Sequence, residues 1–383
     1  MLTLCRAGLR KRIFTLTVSA AFPFLLNAAF ITAQTPQPGF QDRQAGIRFY
    51  NEGKTAEAIA ALRSAVKQDK LDGNAWYYLG LALVRIDDMK GARKALGEAV
   101  KLKPQFAPAH TGFAYALMAA SKDEDAERES RTAIQLNYQD AMAHYVLGVI
   151  HLRFLRNHEA EHEADTAISQ KPNFGPAYLL KSQALLALEG DKSSLVSKVI
   201  SVSGRGAQPT EEEKAKWREN ARKTRENFAA AAGALETYLK LVSSDSETAT
   251  WKDQLETLKV YARESPTAVY SGSDVTTKAR VLSKPEPGYT EQARSAGISG
   301  TVILRAVFTA YGTVENILII RSLPAGLTSE CVRAARRIKF VPATKDGKPV
   351  GMFMELQYNF NVSDSYQDGL RPRMGNCKDA TEY

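Results

Sequence analysis

With three cysteines and five histidines in 383 residues, the chain has little from which to build a redox or metal centre. Cys5 lies at the very start, which leaves Cys331 and Cys377; a disulfide formed in an oxidising compartment and two free thiols both fit that spacing. All five histidines fall between His110 and His162. Acidic residues are absent before Asp42, whereas Arg6, Arg10, Lys11 and Arg12 precede it, so of the formal charge of +9 the rest of the chain keeps 9 − 4 = +5. That remainder has no dense basic run, and nucleic acid is not expected as a partner. A nucleophile elbow, a phosphate-binding loop and a CxxC pair are missing as well; Gly204 and Gly206 are a lone glycine pair in a polar stretch. No catalytic residue and no cofactor are expected.

What is present is enough chain for two or three domains with cores of their own. The hydrophobic fraction of 44% and the charged fraction of 24% are ordinary for a globular protein. The four early cations precede an uncharged apolar stretch from Ile13 to Ala33. Basic, apolar and then small residues in that order read as a secretory signal peptide over residues 1–33, cut between Ala33 and Gln34. Because about 20 apolar residues also span a bilayer, an uncleaved inner-membrane anchor stays open, although Pro23 and Asn27 make a poor span. Both readings place the body of the chain in the periplasm, the first as an exported protein and the second as a membrane-associated one.

A period of 34 residues organises the next part. Aligning Gly73–Phe106 with Ala107–Asp140 and Ala141–Phe174 requires no insertion. Trp76, Leu79, Gly80 and Leu83 mark a first helix, Ala92, Leu96 and Ala99 a second, and Pro104 closes the unit. Phe113, Ala114, Leu117, Ala126 and Ala133 take the same offsets in the next unit; Leu147, Gly148, Ala160, Ala164, Ala167 and Pro172 take them in the third. One period back, Gly39–Asp72 supplies Gly46, Phe49, Gly53, Ala58, Leu62 and Ala65. The small residues let two antiparallel helices approach closely, the larger ones fill the seam, and a single unit cannot bury its own apolar face. Residues 39–190 therefore read as an all-α solenoid, with a fifth unit that begins at Gly175 and loses register after its first helix. Lys70 and Tyr138 stand where two units have their closing proline.

This pattern resembles the tetratricopeptide repeat (TPR) family. The resemblance implies that proteins or extended peptides bind on the concave face, which would carry Tyr77, Arg85, Tyr115, Tyr145 and Arg153. The alternative is that these tyrosines only pack between helices.

Beyond Gly190, residues 191–209 read as a polar linker. Residues 210–264 read as a helical pair that caps the solenoid, with Thr210 as N-cap and apolar stripes through Trp217, Ala221, Phe228, Ala232, Leu235 and Leu239, then Trp251, Leu255, Leu258 and Ala262. Residues 265–283 read as a second linker. From Lys284 the order is helix, strand, strand, helix, strand. The helix around Glu291–Ala296 leads into a hairpin of Thr301–Thr309 and Val314–Arg321. A helix over Thr328–Phe340, capped by Thr328, precedes a strand over Gly351–Val362 that points Met354, Leu356, Tyr358, Phe360 and Val362 inward and Glu355, Gln357, Asn359 and Asn361 outward. The fold class expected is multidomain: an all-α solenoid followed by a small α+β domain (αββαβ) over residues 284–363, with a polar tail over 364–383.

The segments Lys284–Tyr289, Gly300-Thr301-Val302, Gly312-Thr313-Val314, Phe340–Ala343 and Asp346–Val350 resemble the TonB C-terminal domain. That resemblance implies uptake of an extended segment of an outer-membrane transporter along the last strand, at the edge bearing Gln357, Asn359 and Asn361. Two departures stand against a full energy transducer. Ile13–Ala33 contains no histidine, and only Pro36 and Pro38 follow where that family has a long proline-rich spacer. Energy transduction and a scaffold role both stay open.

One motif points elsewhere. His158-Glu159-Ala160-Glu161-His162 matches the H-E-x-x-H arrangement of zinc peptidases, in which two histidines one turn apart bind the metal and the glutamate acts as base. Ala160, however, occupies the small-residue offset of the repeat, which places His158 and His162 on a solvated face with no third ligand in view. A zinc-dependent hydrolase is the alternative reading, and the repeat helix the preferred one.

Overall fold

The computed structural model describes residues 39–202, 211–242, 247–263, 269–272 and 274–361. The readings of residues 1–33 as signal or anchor, of 364–383 as a tail, and of Thr210, Val362 and Cys377 lie outside the described residues.

The 34-residue period is strict in the backbone. First helices run over α1 (Phe40–Asn51), α3 (Gly73–Arg85), α5 (Ala107–Ala119) and α7 (Ala141–Arg153). Second helices run over α2 (Thr55–Gln68), α4 (Met89–Leu102), α6 (Asp123–Leu136) and α8 (Asn157–Gln170). The turn inside each unit places one residue in the left-handed region, at Gly53 (φ 77°), Asp87 (61°), Ser121 (53°) and Leu155 (61°), again 34 apart. Only the glycine takes that conformation without steric cost. The second helices end at the same offset whether Pro104 or Pro172 follows or Lys70 or Tyr138 does, so proline is not what stops them. Between the two helices of each unit, Ala58, Ala92, Ala126 and Ala160 are fully buried.

Two polar devices recur with the same period. Asp72 and Asp140 cap α3 and α7 through backbone N–H groups, and each also reaches back one unit, to Arg43 at 2.7 Å and to Thr111 at 2.5 Å. At one offset of the first helix, four chemically different side chains contact the carbonyl six residues earlier. They are Trp76 on Lys70, His110 on Pro104, His144 on Tyr138 and Tyr178 on Pro172, all at 2.9–3.0 Å. His110 and His144 are therefore anchors of the repeat.

The second half departs from expectation. α9 (Gly175–Val202) is a single helix of 28 residues, so 191–202, read above as linker, is helical. Leu195, Val199 and Val202 fall 4 and 3 apart, a helical spacing that the serine-rich composition conceals. α10 (Glu211–Leu241) and α11 (Thr248–Arg263) are the helical pair. They do not merely cap the solenoid: Leu185 of α9, Phe228 and Leu235 of α10 and Leu258 of α11 share one continuous core with Leu304, Leu318 and Phe340 of the C-terminal domain.

That domain holds β1 (Val269–Tyr270), β2 (Arg280–Ser283), α12 (Glu291–Ser295), β3 (Gly300–Phe308), β4 (Val314–Arg321), α13 (Leu327–Arg336), β5 (Lys339–Val341), β6 (Ala343–Lys345) and β7 (Lys348–Phe360). The main sheet has the order β1-β7-β3-β4, and a separate antiparallel ribbon joins β2 to β5. β6 meets β7 through Asp346 (φ 51°) and Gly347 (φ 77°), a hairpin turn with two positive φ values. Three expectations need correction here. Residues 265–283 are not all linker, because β1 and β2 pair with β7 and β5; strands of two and four residues leave too short a pattern to read. Thr328 is not a cap: α13 starts after Gly326 (φ 79°), and the Thr328 hydroxyl donates to Leu323 O while accepting from Leu323 N. The helix stops at Arg336, and Lys339 and Phe340 belong to β5. Among the described residues no helix is long and apolar enough to cross a membrane.

Candidate functional site

Two surfaces have the geometry of binding sites. Along the first helices of the solenoid, Tyr77, Leu81, Tyr115, Met142, Tyr145 and Phe174 line a groove of about 520 Å³. The first helices α3, α5 and α7 supply most of the lining, and Phe174 adds to it from just before α9. Tyr77 stands edge-on to Phe106 at 5.0 Å and Tyr145 edge-on to Phe174 at 5.3 Å, which fixes both rings. Burial, then the neighbouring Tyr78 hydroxyl, pushes the Tyr77 phenol up to about 12. Burial likewise pushes Tyr145 up to about 12 and raises Tyr115. All three stay neutral phenols at any physiological pH, offering an apolar face with a hydroxyl handle.

The two arginines expected on this face are engaged elsewhere. Arg85 donates to Tyr50 O at 2.6 Å with its guanidinium 3.6 Å above the Tyr50 ring, and Arg153 donates to Met118 O at 3.0 Å and pairs with Asp123 at 2.5 Å. Each reaches a carbonyl 35 residues earlier, so both tie one unit to the preceding one. The tyrosines form the groove; the arginines stack it.

The second surface is the outer edge of β7. One side of this strand pairs with β3 continuously, from Gly300↔Phe360 to Phe308↔Met352. On the other side β1 pairs only with Gly351 and Met352. Among the described residues no strand covers that side over 353–360. The side chains alternate as expected: Leu356, Tyr358 and Phe360 are buried, Glu355, Gln357 and Asn359 exposed. Gln357 donates to Glu355 at 3.1 Å and Asn359 accepts from Thr301 at 2.7 Å, so both lie along the exposed face of the sheet. Asn361 is exposed beyond the strand end at Phe360. Lys284 was not anticipated here: its ammonium donates to Gln357 O at 2.8 Å and sits 4.4 Å from the Tyr358 ring centroid. Lysine is a common guard of open sheet edges, but neither spacing nor composition ties Lys284 to a residue 73 positions away.

The opposite edge of the sheet, β4, is packed against α9 and α11, with a cavity of about 360 Å³ left between α11 and β4. Buried Gln254 of α11 accepts from Ile319 N at 3.0 Å, occupying a donor of β4 that faces no strand. Thr250 with Ser329 at 2.7 Å, Arg336 with Asp253 at 2.8 Å and Gln183 with Ser322 at 2.8 Å extend the contact. A polar residue inside the apolar stripe Trp251, Leu255, Leu258 was the only sequence signal for it.

His158 and His162 are exposed on α8, with Ala160 buried between them. Among the described residues no group of three or more His, Cys, Asp or Glu is placed to hold a metal ion. Cys331 is buried, which pushes its thiol up to about 12.

Comparison with known proteins gives two family matches. Residues 285–362 match the Gram-negative bacterial TonB protein C-terminal family, and residues 43–107 match a tetratricopeptide repeat family. Among solved structures the chain is similar to MamA, at 26% identity over 38% of this chain and 84% of that one (TM-score 0.35). It is also similar to PilF of Pseudomonas aeruginosa, at 15% identity over 58% of this chain and 86% of that one (TM-score 0.41). A thermophilic TPR protein of Thermus thermophilus aligns at 12% identity over 58% of this chain and 99% of that one (TM-score 0.39). No curated protein matches the chain.

Proposed function

For a chain that carries tetratricopeptide repeats and a TonB C-terminal domain, we propose a role as an interaction protein of the cell envelope that takes up an extended segment of an outer-membrane transporter along β7. The observation that carries this reading is the uncovered side of β7 over residues 353–360, whereas β4 at the far edge of the sheet is packed against α11. Strand addition needs a row of unpaired backbone groups for affinity and alternating side chains for selectivity. Glu355, Gln357 and Asn359 are the polar side chains such a segment would meet. The groove with Tyr77, Tyr115 and Tyr145 is proposed to hold a second protein or peptide. Coupling to a proton-driven motor is not part of the reading, since Ile13–Ala33 has no histidine and a solenoid stands where a proline-rich spacer would be. The zinc-hydrolase alternative gains no support from the exposed pair His158 and His162.

The test is an NMR titration of the protein with a short peptide from the periplasmic N-terminal segment of an outer-membrane transporter. A second peptide is N-methylated at alternate residues. Strand addition predicts that amides of 353–360 shift with the first peptide, and that methylation in one of the two alternating sets abolishes the shifts. Equal binding of native and methylated peptides, or shifts confined to the solenoid, would refute it.

A further inference from the structure

A third surface is independent of strand addition. Residues 275–285 and 331–345 together hold Lys278, Arg280, Lys284, Arg333, Arg336, Arg337, Lys339 and Lys345, and no Asp or Glu. These two stretches meet in the β2–β5 ribbon, where Arg280 lies opposite Val341 and Val281 opposite Phe340. Cross-strand partners share a face and successive residues alternate. Phe340 is buried, so its face is the inner one, and Arg280, Lys339 and Val341 share the outer one. Leu282 sits in the register shift between Val281 and Ser283 and is 57% exposed; Val341 is 43% exposed. Lys278, Arg280, Arg337 and Lys339 are all exposed. Among the described residues the ion pairs of this region belong to Arg333 and Arg336, and none involves those four cations.

We propose that the β2–β5 ribbon docks on an anionic lipid surface, with Arg280 and Lys339 against headgroup phosphates and Leu282 and Val341 reaching the boundary with the acyl chains. Charge complementarity is the first reason: Arg280 and Lys339 on the ribbon and Lys278 and Arg337 just outside its strands form no ion pair among the described residues. The eight cations of the two stretches also outnumber Asp274, Glu286, Glu330 and Asp346 that bound them, which favours a surface of negative charges. The second is the pair of exposed aliphatics between those cations. A lipid interface rewards buried apolar area and basic charge together, whereas a phosphate backbone in nucleic acid has no use for leucine and valine, and an acidic peptide brings no apolar layer to receive them.

The experiment is flotation of the full chain with vesicles of three parts phosphatidylethanolamine to one part phosphatidylglycerol, compared with phosphatidylcholine vesicles. Binding is expected to the anionic vesicles and to weaken steeply as salt rises. Arg280→Gln and Lys339→Gln should each lower the partition coefficient about fivefold, and the double variant about 25-fold. Leu282→Ser should lower it at unchanged salt dependence. All three positions are exposed, so circular dichroism is expected to stay that of the parent. The proposal is overturned if the double variant floats like the parent, which is the result that attachment through residues 13–33 would give. It is equally overturned if neutral vesicles bind as well as anionic ones. A duplex oligonucleotide that binds more tightly than the anionic vesicles, with the same losses in the variants, would assign the ribbon to nucleic acid instead.

Discussion

Replacing Gly80 by alanine probes the packing on which the solenoid rests. In an exposed helix the change is favourable by about 1 kcal/mol, because alanine has the higher helix propensity. Here a Cβ would stand 2.4 Å from Cγ of Leu96, 2.8 Å from its Cδ2 and 3.2 Å from its Cδ1. Leu96 is fully buried, and it cannot retreat toward the next unit, where the place of a Cβ on Gly112 is already 3.0 Å from Leu96 Cδ2. A shift of about 1 Å in a side chain held from both sides belongs at the upper end of overpacking costs, about 3 kcal/mol. Subtracting the propensity gain leaves a net loss of about 2 kcal/mol. Urea unfolding followed by far-UV circular dichroism measures it, as a lower midpoint at constant slope. The same substitution in a Leu96→Ala background isolates the contact. Leu96→Ala alone costs about 2–5 kcal/mol, but the added methyl then enters vacated space and becomes neutral or stabilising, a coupling of about 2–3 kcal/mol. If Gly80→Ala stabilises by about 1 kcal/mol in both backgrounds, the helices do not approach as described.

Other outcomes follow from the same geometry. Gly233 lies exposed within α10, and a Cβ there meets nothing within 4 Å, so Gly233→Ala should raise stability by about 1 kcal/mol in the same urea assay. Gln254→Ala leaves the Ile319 amide buried without an acceptor and should cost about 1–3 kcal/mol, read as a lower thermal midpoint of the whole chain because α11 and the sheet share one core. His144 provides a pH dependence. Burial lowers its pKa, but hydrogen bonds to Glu163 and to the Tyr138 carbonyl, with the Glu163 charge, outweigh that and leave it raised. A raised folded value means the imidazolium stabilises the fold fully below the unfolded value of about 6.5, and that this contribution fades as pH climbs through the folded value. Across that interval the thermal midpoint of the parent should fall relative to that of His144→Gln as pH rises, a difference from which the opposite contribution of His151, whose pKa burial lowers, cancels. Lys284→Met keeps the aliphatic stem and frees Gln357 O, and should tighten strand addition several-fold in a peptide titration.

The solenoid was legible because its signal repeats. Gly46, Gly80, Ala58, Ala92, Ala126 and Ala160 recur at fixed offsets, and each marks a place where two helices come close, so the period gives both the elements and their packing. The hydrogen bond shared by Trp76, His110, His144 and Tyr178 was hidden, since four unlike side chains perform one task and the common partner is a carbonyl. The same holds for Arg85 and Arg153, whose contact with a carbonyl 35 residues back leaves no mark on residue type. In the C-terminal domain the alternation of Leu356, Tyr358 and Phe360 with Glu355, Gln357 and Asn359 identified β7 and its exposed side chains. β1 and β2 were not legible, because strands this short are stabilised by partners about 60–80 residues away rather than by a local pattern. The seating of α9 and α11 against β4 rests on a core shared by residues far apart in sequence, with contacts such as Gln254 to Ile319 added to it, and no local pattern announces it.

The central claim, strand addition along β7, is tested most directly by placing a photo-crosslinking amino acid at Gln357, and separately at Asn359, in living cells and mapping the crosslinked residue by mass spectrometry. The account predicts that both positions capture one extended segment of an outer-membrane transporter, and that moving the probe by two residues moves the adduct by two. Adducts that fall only on soluble proteins or on this chain's own repeats, or that do not move with the probe, would contradict it.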